Sequence, residues 1–220
     1  MVVGFIYEGV TDIPVLQAVV DAVLGPDYEA RFIQPERDAL GGLTGWTEVK
    51  KWCERSGDAL SDLLTWTSID LLILQIDADV RTEVRARTTA DLCATVKGWL
   101  GHGARDPRLV IVIPAQAIEA WLLAAHVAPS PQLEQQAHPA RQLVRHHLLS
   151  GAADGRPIKD RARYEALSVK LTERVAELRD VLPELDRFVS KLELAAIRLG
   201  RPVAPPAQAE KQRRGKKRHG

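Results

Sequence analysis

Cysteine is scarce in this 220-residue chain, which carries only Cys53 and Cys93. Both fall in predicted helices without metal-ligand spacing. They read as buried thiols in a reducing cytosol, with a disulfide between them as the other reading. Long apolar runs are also lacking, and none approaches the ~20 residues that span a bilayer. The N-terminal stretch Met1 to Gly9 has no basic leader and runs straight into a strand pattern, unlike a signal peptide. No Gly-rich phosphate loop occurs, Gly41-Gly42 being too short, and no Ser–His–Asp pattern or internal repeat is present. These absences predict a soluble, cytoplasmic protein with no membrane partner, and they weigh against P-loop and serine-hydrolase chemistry.

Charge is present in both signs but is unevenly placed. From Arg201 onward lie seven of the 30 Lys/Arg and one of the 29 Asp/Glu, so the tail carries +6 and residues 1–200 carry −5. The tail, 200–220, is rich in Pro, Ala, Lys and Arg without apolar periodicity and reads as a disordered basic segment. Its Arg213, Arg214, Lys216, Lys217 and Arg218 are candidates for contact with nucleic-acid phosphates. A solvating or partner-binding tail is the alternative.

Within the body, apolar segments over 2–7, 28–34, 69–76 and 108–113 read as strands. Helical patterns lie between them over 11–24, 44–66 (one helix or two, with a break at Gly57) and 82–100. A further helix is predicted over 115–126. This alternation predicts an α/β fold, a Rossmann-like parallel sheet flanked by helices over residues 1–127. From residue 128 the pattern is helical: a short helix over 139–149, then one long or two shorter helices over 161–199, with Pro183 starting the second. Residues 128–199 are thus expected to form a helical extension packed on the α/β domain. Trp121 reads as core, and His126, His146 and His147 have no third partner that would suggest a metal site.

The chemistry gathers at strand ends. The run LLILQIDAD (71–79) closes on Asp77 and Asp79, and the first apolar segment closes on Glu8-Gly9-Val10-Thr11-Asp12. Glu119 lies five residues after the Pro114 that closes the fourth strand. Open α/β sheets bind ligands beyond the carboxyl ends of their strands. Clustered carboxylates repel one another, and a bound cation reverses that cost, so a group of this size points to a hard divalent cation such as Mg²⁺. Taken singly, Asp12 and Asp79 read as helix caps and Glu119 as an acid favoured by a helix N-terminus. Cleavage of a phosphodiester also needs positive charge near the phosphate. Lys159 is the candidate, against the simpler reading of a solvated surface lysine.

Glu8-Gly9-x-Thr11-Asp12 after one strand and Asp77-x-Asp79 after a later one resemble a TOPRIM domain, the fold core of topoisomerases, bacterial primases and OLD-type nucleases. Ile113 to Ala124 (IPAQAIEAWLLA) resembles an element of TOPRIM-like proteins related to the RloB and abortive-infection groups. The likeness covers about residues 2–127, and residues 155–192 loosely through Lys159, Tyr164 and Lys170. It implies a parallel sheet, one or two Mg²⁺ or Mn²⁺ ions, and phosphodiester cleavage or transfer. It also implies a glutamate at position 8 acting as ligand or general acid/base, and metal-holding aspartates at 77 and 79. Neither a nucleophilic tyrosine nor a zinc module is found, which turns the expectation from topoisomerase or primase toward nuclease. The expected role is a metal-dependent nuclease of DNA or RNA in antiphage defence or as a toxin, working with a partner ATPase. The alternative is a non-catalytic TOPRIM-fold module that binds nucleic acid or a partner.

Overall fold

The computed structural model describes residues 1–34 and 44–201. The Gly41-Gly42 loop and the basic tail with its five candidate phosphate contacts therefore lie outside the described residues. In chain order the elements are β1 (Val2–Ile6), α1 (Asp12–Leu24), β2 (Glu29–Gln34), α2 (Trp46–Ser56), α3 (Leu60–Trp66) and β3 (Leu71–Gln75). Then follow α4 (Thr89–Leu100), β4 (Leu109–Val112), α5 (Glu119–His126), α6 (Gln132–Gln135), α7 (Pro139–Arg145), α8 (Arg161–Leu178) and α9 (Pro183–Arg198). The four strands form one parallel sheet in the order β2-β1-β3-β4. The protein is an α/β fold, a parallel sheet flanked by helices with further helices at its C-terminal end.

Both sheet faces are covered, so the strands read as continuous apolar runs rather than as alternating ones. Successive residues still point to opposite faces. Val3, Phe5, Leu71, Ile73, Val110 and Val112 join one core with α1, α5, α8 and α9. Ile6, Leu72, Leu74 and Ile111 join a second core with α2, α3 and α4. The C-terminal helices thus share the first core with α1 and α5. α8 contributes Tyr164, Leu167, Leu171, Val175 and Leu178, and α9 contributes Leu185, Phe188, Val189 and Leu192, both at helical spacing. Lys191 of α9 donates to the Ile111 carbonyl of β4 at 2.6 Å, which covers part of the sheet's edge.

The helical pattern over 44–66 resolves into two helices. They break at Gly57, where an added Cβ would stand 2.4 Å from the Leu100 carbonyl oxygen. Pro183 does begin the second C-terminal helix. Three helix boundaries differ from the sequence expectation. The helix expected from residue 82 starts at Thr89, because Thr88 and Asp91 form a reciprocal capping box there. The helix expected over 139–149 ends at Arg145, and His147 is left-handed at φ 57°. The helix expected from residue 115 starts at Glu119, because the segment before it is held to the β3 exit instead. Ala78 N–H donates to the Pro114 carbonyl at 3.2 Å, and Asp79 N–H donates to that of Gln116 at 3.1 Å.

Trp121 is core, as expected: it is fully buried and stacks on Phe188 with centroids 5.9 Å apart. Its indole N–H donates to Glu134 at 2.7 Å. The same fully buried carboxylate accepts the backbone N–H groups of Glu184 (2.9 Å) and Leu185 (3.0 Å), tying α6 to the first turn of α9. Removing it strands three buried donors, each costing about 1–3 kcal/mol. Glu134→Ala should therefore lower the unfolding free energy by about 3 kcal/mol or more in urea titrations. Glu134→Gln, which keeps one acceptor oxygen, should lose about half as much.

Candidate functional site

β1 and β3 are neighbours whose onward connections leave in opposite directions. α1 leads from β1 to β2 across one face, and α4 leads from β3 to β4 across the other. Such a switch point opens a crevice beyond the strands' carboxyl ends. Glu8 and Asp77 each stand two residues past the end of one of these strands. Parallel pairing brings them together across 69 residues of sequence, and the Asp77 backbone N–H donates to Glu8 Oε1 at 2.6 Å.

Gln75 braces this pair. It is the sole polar residue of β3 and is fully buried. Its amide donates to Asp77 Oδ1 at 2.7 Å and accepts from the Glu8 N–H at 3.3 Å. Asp77 Oδ1 also accepts the Ile118 N–H at 3.1 Å, so the segment that delays α5 clamps the site as well. Asp12 is buried at 3 % exposure, and its Oδ2 accepts the Gly9 N–H at 2.8 Å. It is the first residue of α1 and holds the 8–12 turn, where a simple N-cap was the single-residue reading. Asp79 likewise does not cap α4, since Thr88 does. Asp79 lies exposed in a short 3₁₀ turn over Ala78–Arg81.

Glu119 opens α5 at 2 % exposure, and two residues of the C-terminal helices answer it. Lys159 Nζ lies 3.0 Å from Glu119 Oε1, and the buried Tyr164 hydroxyl donates to the same oxygen at 3.0 Å. Lys159 is therefore not a solvated surface lysine but the cation of a buried acidic group, with its own side chain 54 % exposed. Glu8, Asp12, Asp77, Asp79, Glu119 and Lys159 all come together. His126 does not join them, because its ring Nε2 pairs with the Leu167 carbonyl at 3.0 Å. Gln75 and Ile118 were missed from sequence, although a glutamine ending the run LLIL was a visible signal, and Tyr164 entered there only through a loose family likeness, without a role.

Burial and mutual repulsion displace the site's acids upward. Burial raises Glu8 to about 8, opposed by the Asp77 N–H and by Lys159 and assisted by the charges of Asp12 and Asp79. Burial, then Glu119, raises Asp12 to about 7 against Lys159 and the Gly9 N–H. Asp77 is driven well up by burial and by Asp12, Glu119, Glu8 and Asp79. Asp79 rises through burial and the charges of Glu83 and Glu119. Burial works against the Lys159 ammonium, but Glu119, Asp12 and Asp77 outweigh it and hold its pKa above the ordinary value. Burial and Glu119 keep the Tyr164 phenol protonated, hence a donor.

In kind, these donors suit a hard divalent cation, being all carboxylate oxygens. The hydrogen bonds above fall on one oxygen each of Glu8, Asp12, Asp77 and Glu119. Their second oxygens carry none among the described residues. In position, no group of three or more His, Cys, Asp or Glu side chains among the described residues is arranged to hold a metal ion. The same residues include no helix long and apolar enough to cross a membrane. Comparison with protein-family models, with curated proteins and with solved structures finds no match.

The raised acids set the direction of pH dependence. The folded state binds protons at Glu8 and Asp12 more tightly than the unfolded chain does, so stability is greatest below the ordinary carboxylate pKa and falls as pH rises toward about 8. Each tenfold change in proton affinity is worth about 1.4 kcal/mol, so the fall should be on the order of a few kcal/mol. Metal-free protein is expected to lose melting temperature between pH 5 and pH 8, roughly the span from ordinary to raised carboxylate values. Glu8→Gln should flatten that slope, as followed by circular dichroism.

Proposed function

We propose that this chain is a Mg²⁺- or Mn²⁺-dependent nuclease of TOPRIM type that hydrolyses phosphodiester bonds in DNA or RNA. The observation that carries the reading is the gathering of Glu8, Asp12, Asp77, Asp79 and Glu119 around the single ammonium of Lys159 at the β1/β3 switch point. One lysine cannot neutralise five acids, and a hard cation with phosphate is the chemistry that such donors favour. A divalent cation bound there would polarise a phosphate oxygen and acidify a water.

The chain's own residues have separable parts in this scheme. Glu8, displaced toward neutral pH when no cation is bound, can accept or return a proton at the reacting oxygen. Lys159 keeps a half-exposed ammonium beside the acids and adds positive charge for a phosphate. Tyr164 and Gln75 position Glu119 and Asp77 through the hydrogen bonds described above. By the same resemblance, we place the activity in antiphage defence or toxin action, licensed by a partner ATPase.

A second reading has an observation of its own. The acids are tied to Lys159, Gln75 and backbone N–H groups without forming a ready-made ligand set, as a non-catalytic module for nucleic acid or partner binding would allow. Purified protein, alone and with its neighbouring ATPase, should hydrolyse DNA or RNA with Mg²⁺ or Mn²⁺. Glu8→Gln and Asp77→Asn should each cut the rate by about 10²-fold or more while leaving the protein folded. Absence of hydrolysis with either metal in both settings would leave the binding module as the function.

A further inference from the structure

A cleft of about 300 Å³ is lined by Asp77, Asp79 and Glu119 from the strand ends, and by His138, Arg141 and Lys159 from the C-terminal helical region. Its two chemistries are therefore carboxylate and cation, supplied by different parts of the chain. Lys159 is already paired with Glu119. The Arg141 guanidinium is exposed and makes no hydrogen bond or ion pair among the described residues, and its charge acts on Asp154 only through space. A planar guanidinium with all its donors available, in a cleft with a cation-seeking acidic side, suits a phosphate that bridges the two.

Size and lining narrow the ligand further. The volume lies at the small end of ligand sites, roughly 300–1,000 Å³, which is room for one nucleotide-sized unit. Among the described residues no Phe, Tyr or Trp lines the cleft, so only the His138 imidazole and the Arg141 guanidinium offer a plane to a base, and recognition rests chiefly on the phosphate. Glu119 is only 2 % exposed, so a reacting phosphate must enter the cleft to approach it. In a duplex the phosphates lie outermost, but each nucleotide is held by its base pair, so carrying a whole nucleotide into the cleft would cost unpairing and unstacking. A single strand can bend one nucleotide inward. Resting on the nuclease reading, we infer that the cleft admits one phosphate-bearing nucleotide of a single strand, irrespective of base, and that Arg141 is its phosphate-binding residue.

Fluorescence anisotropy in Mg²⁺ with a labelled short single strand and a duplex closed by hairpins at both ends tests this directly. The single strand should bind at least about tenfold more tightly, the scale of one charge-assisted contact. Arg141→Ala should weaken single-strand binding by about the same factor, and Arg141→Lys should restore part of it. Arg141 is exposed, so these variants should keep the wild-type melting temperature. Equal binding of the two probes, or an Arg141→Ala variant that binds normally, would overturn the inference. The activity arm uses Mn²⁺ with a covalently closed duplex circle and a linear single strand. Degradation of the strand with the circle intact is expected. A circle cut as fast as the strand overturns the inference and leaves the nuclease reading standing. A strand bound through Arg141 with neither substrate cut overturns the nuclease reading and leaves the inference standing.

Discussion

The constraint on which this structure turns is the burial of negative charge at the β1/β3 switch point. Like charges in a poorly solvated place raise one another's pKa, and both causes act on Glu8, Asp12 and Asp77. Local structure around the site is organised to bear that cost. Backbone N–H groups of Gly9, Asp77 and Ile118 each donate to a carboxylate, and Gln75 sacrifices an apolar position in a fully buried strand to donate to the Asp77 carboxylate and accept the Glu8 N–H. The segment before α5 stays non-helical because its backbone answers Ala78, Asp79 and Asp77 instead of its own next turn.

The C-terminal helices belong to the same solution. α8 packs on α1 and α5 through an apolar stripe, and Tyr164, at the N-terminal end of that stripe, carries a hydroxyl to Glu119. Lys159, just ahead of α8, brings the ammonium. The hydrophobic docking of one helix thus fixes both groups that temper Glu119, the least exposed acid of the cluster. Glu134 does comparable work elsewhere: it joins Trp121 to the start of α9 and keeps the partner helix in register.

Much of this was legible in the sequence, for identifiable reasons. The four strands and their parallel order of faces follow from apolar runs separated by helical periods, and a β-sheet with both faces covered leaves little room for another reading. Glu8 and Asp77 were legible as partners because strand ends in a parallel sheet share one edge. Helix starts were less legible where a tertiary bond competes with the helix. Residues 115–118 have helical composition, yet the Gln116 carbonyl and the Ile118 N–H are claimed by the β3 exit. Lys159 looked like a surface lysine because its partner, Glu119, lies 40 residues away and is brought near only by packing. Arg141 gave no local signal at all, and Tyr164 only a loose family likeness without a role, since an isolated Tyr or Arg on a helix carries no pattern that marks its distant neighbour.

Whether such a cluster is structural or functional can be weighed from its energetics. A buried ionic network is seldom the most stable filling for its space, since apolar residues of similar volume often do as well or better. Asp12 and Glu119 are almost wholly enclosed, and among the described residues only one lysine meets the group. A role confined to stability would be served by fewer acids or by more cations. The imbalance is instead what a site needs if a positive ion and a phosphate complete it, because the repulsion that weakens the empty fold becomes attraction when charge of the other sign arrives. The free guanidinium of Arg141 in the same cleft has the matching need for an anion. On the proposed reading, the acids need positive charge beyond that of Lys159 and Arg141 has no anion bound to it, and a metal-bound phosphate would supply both at once.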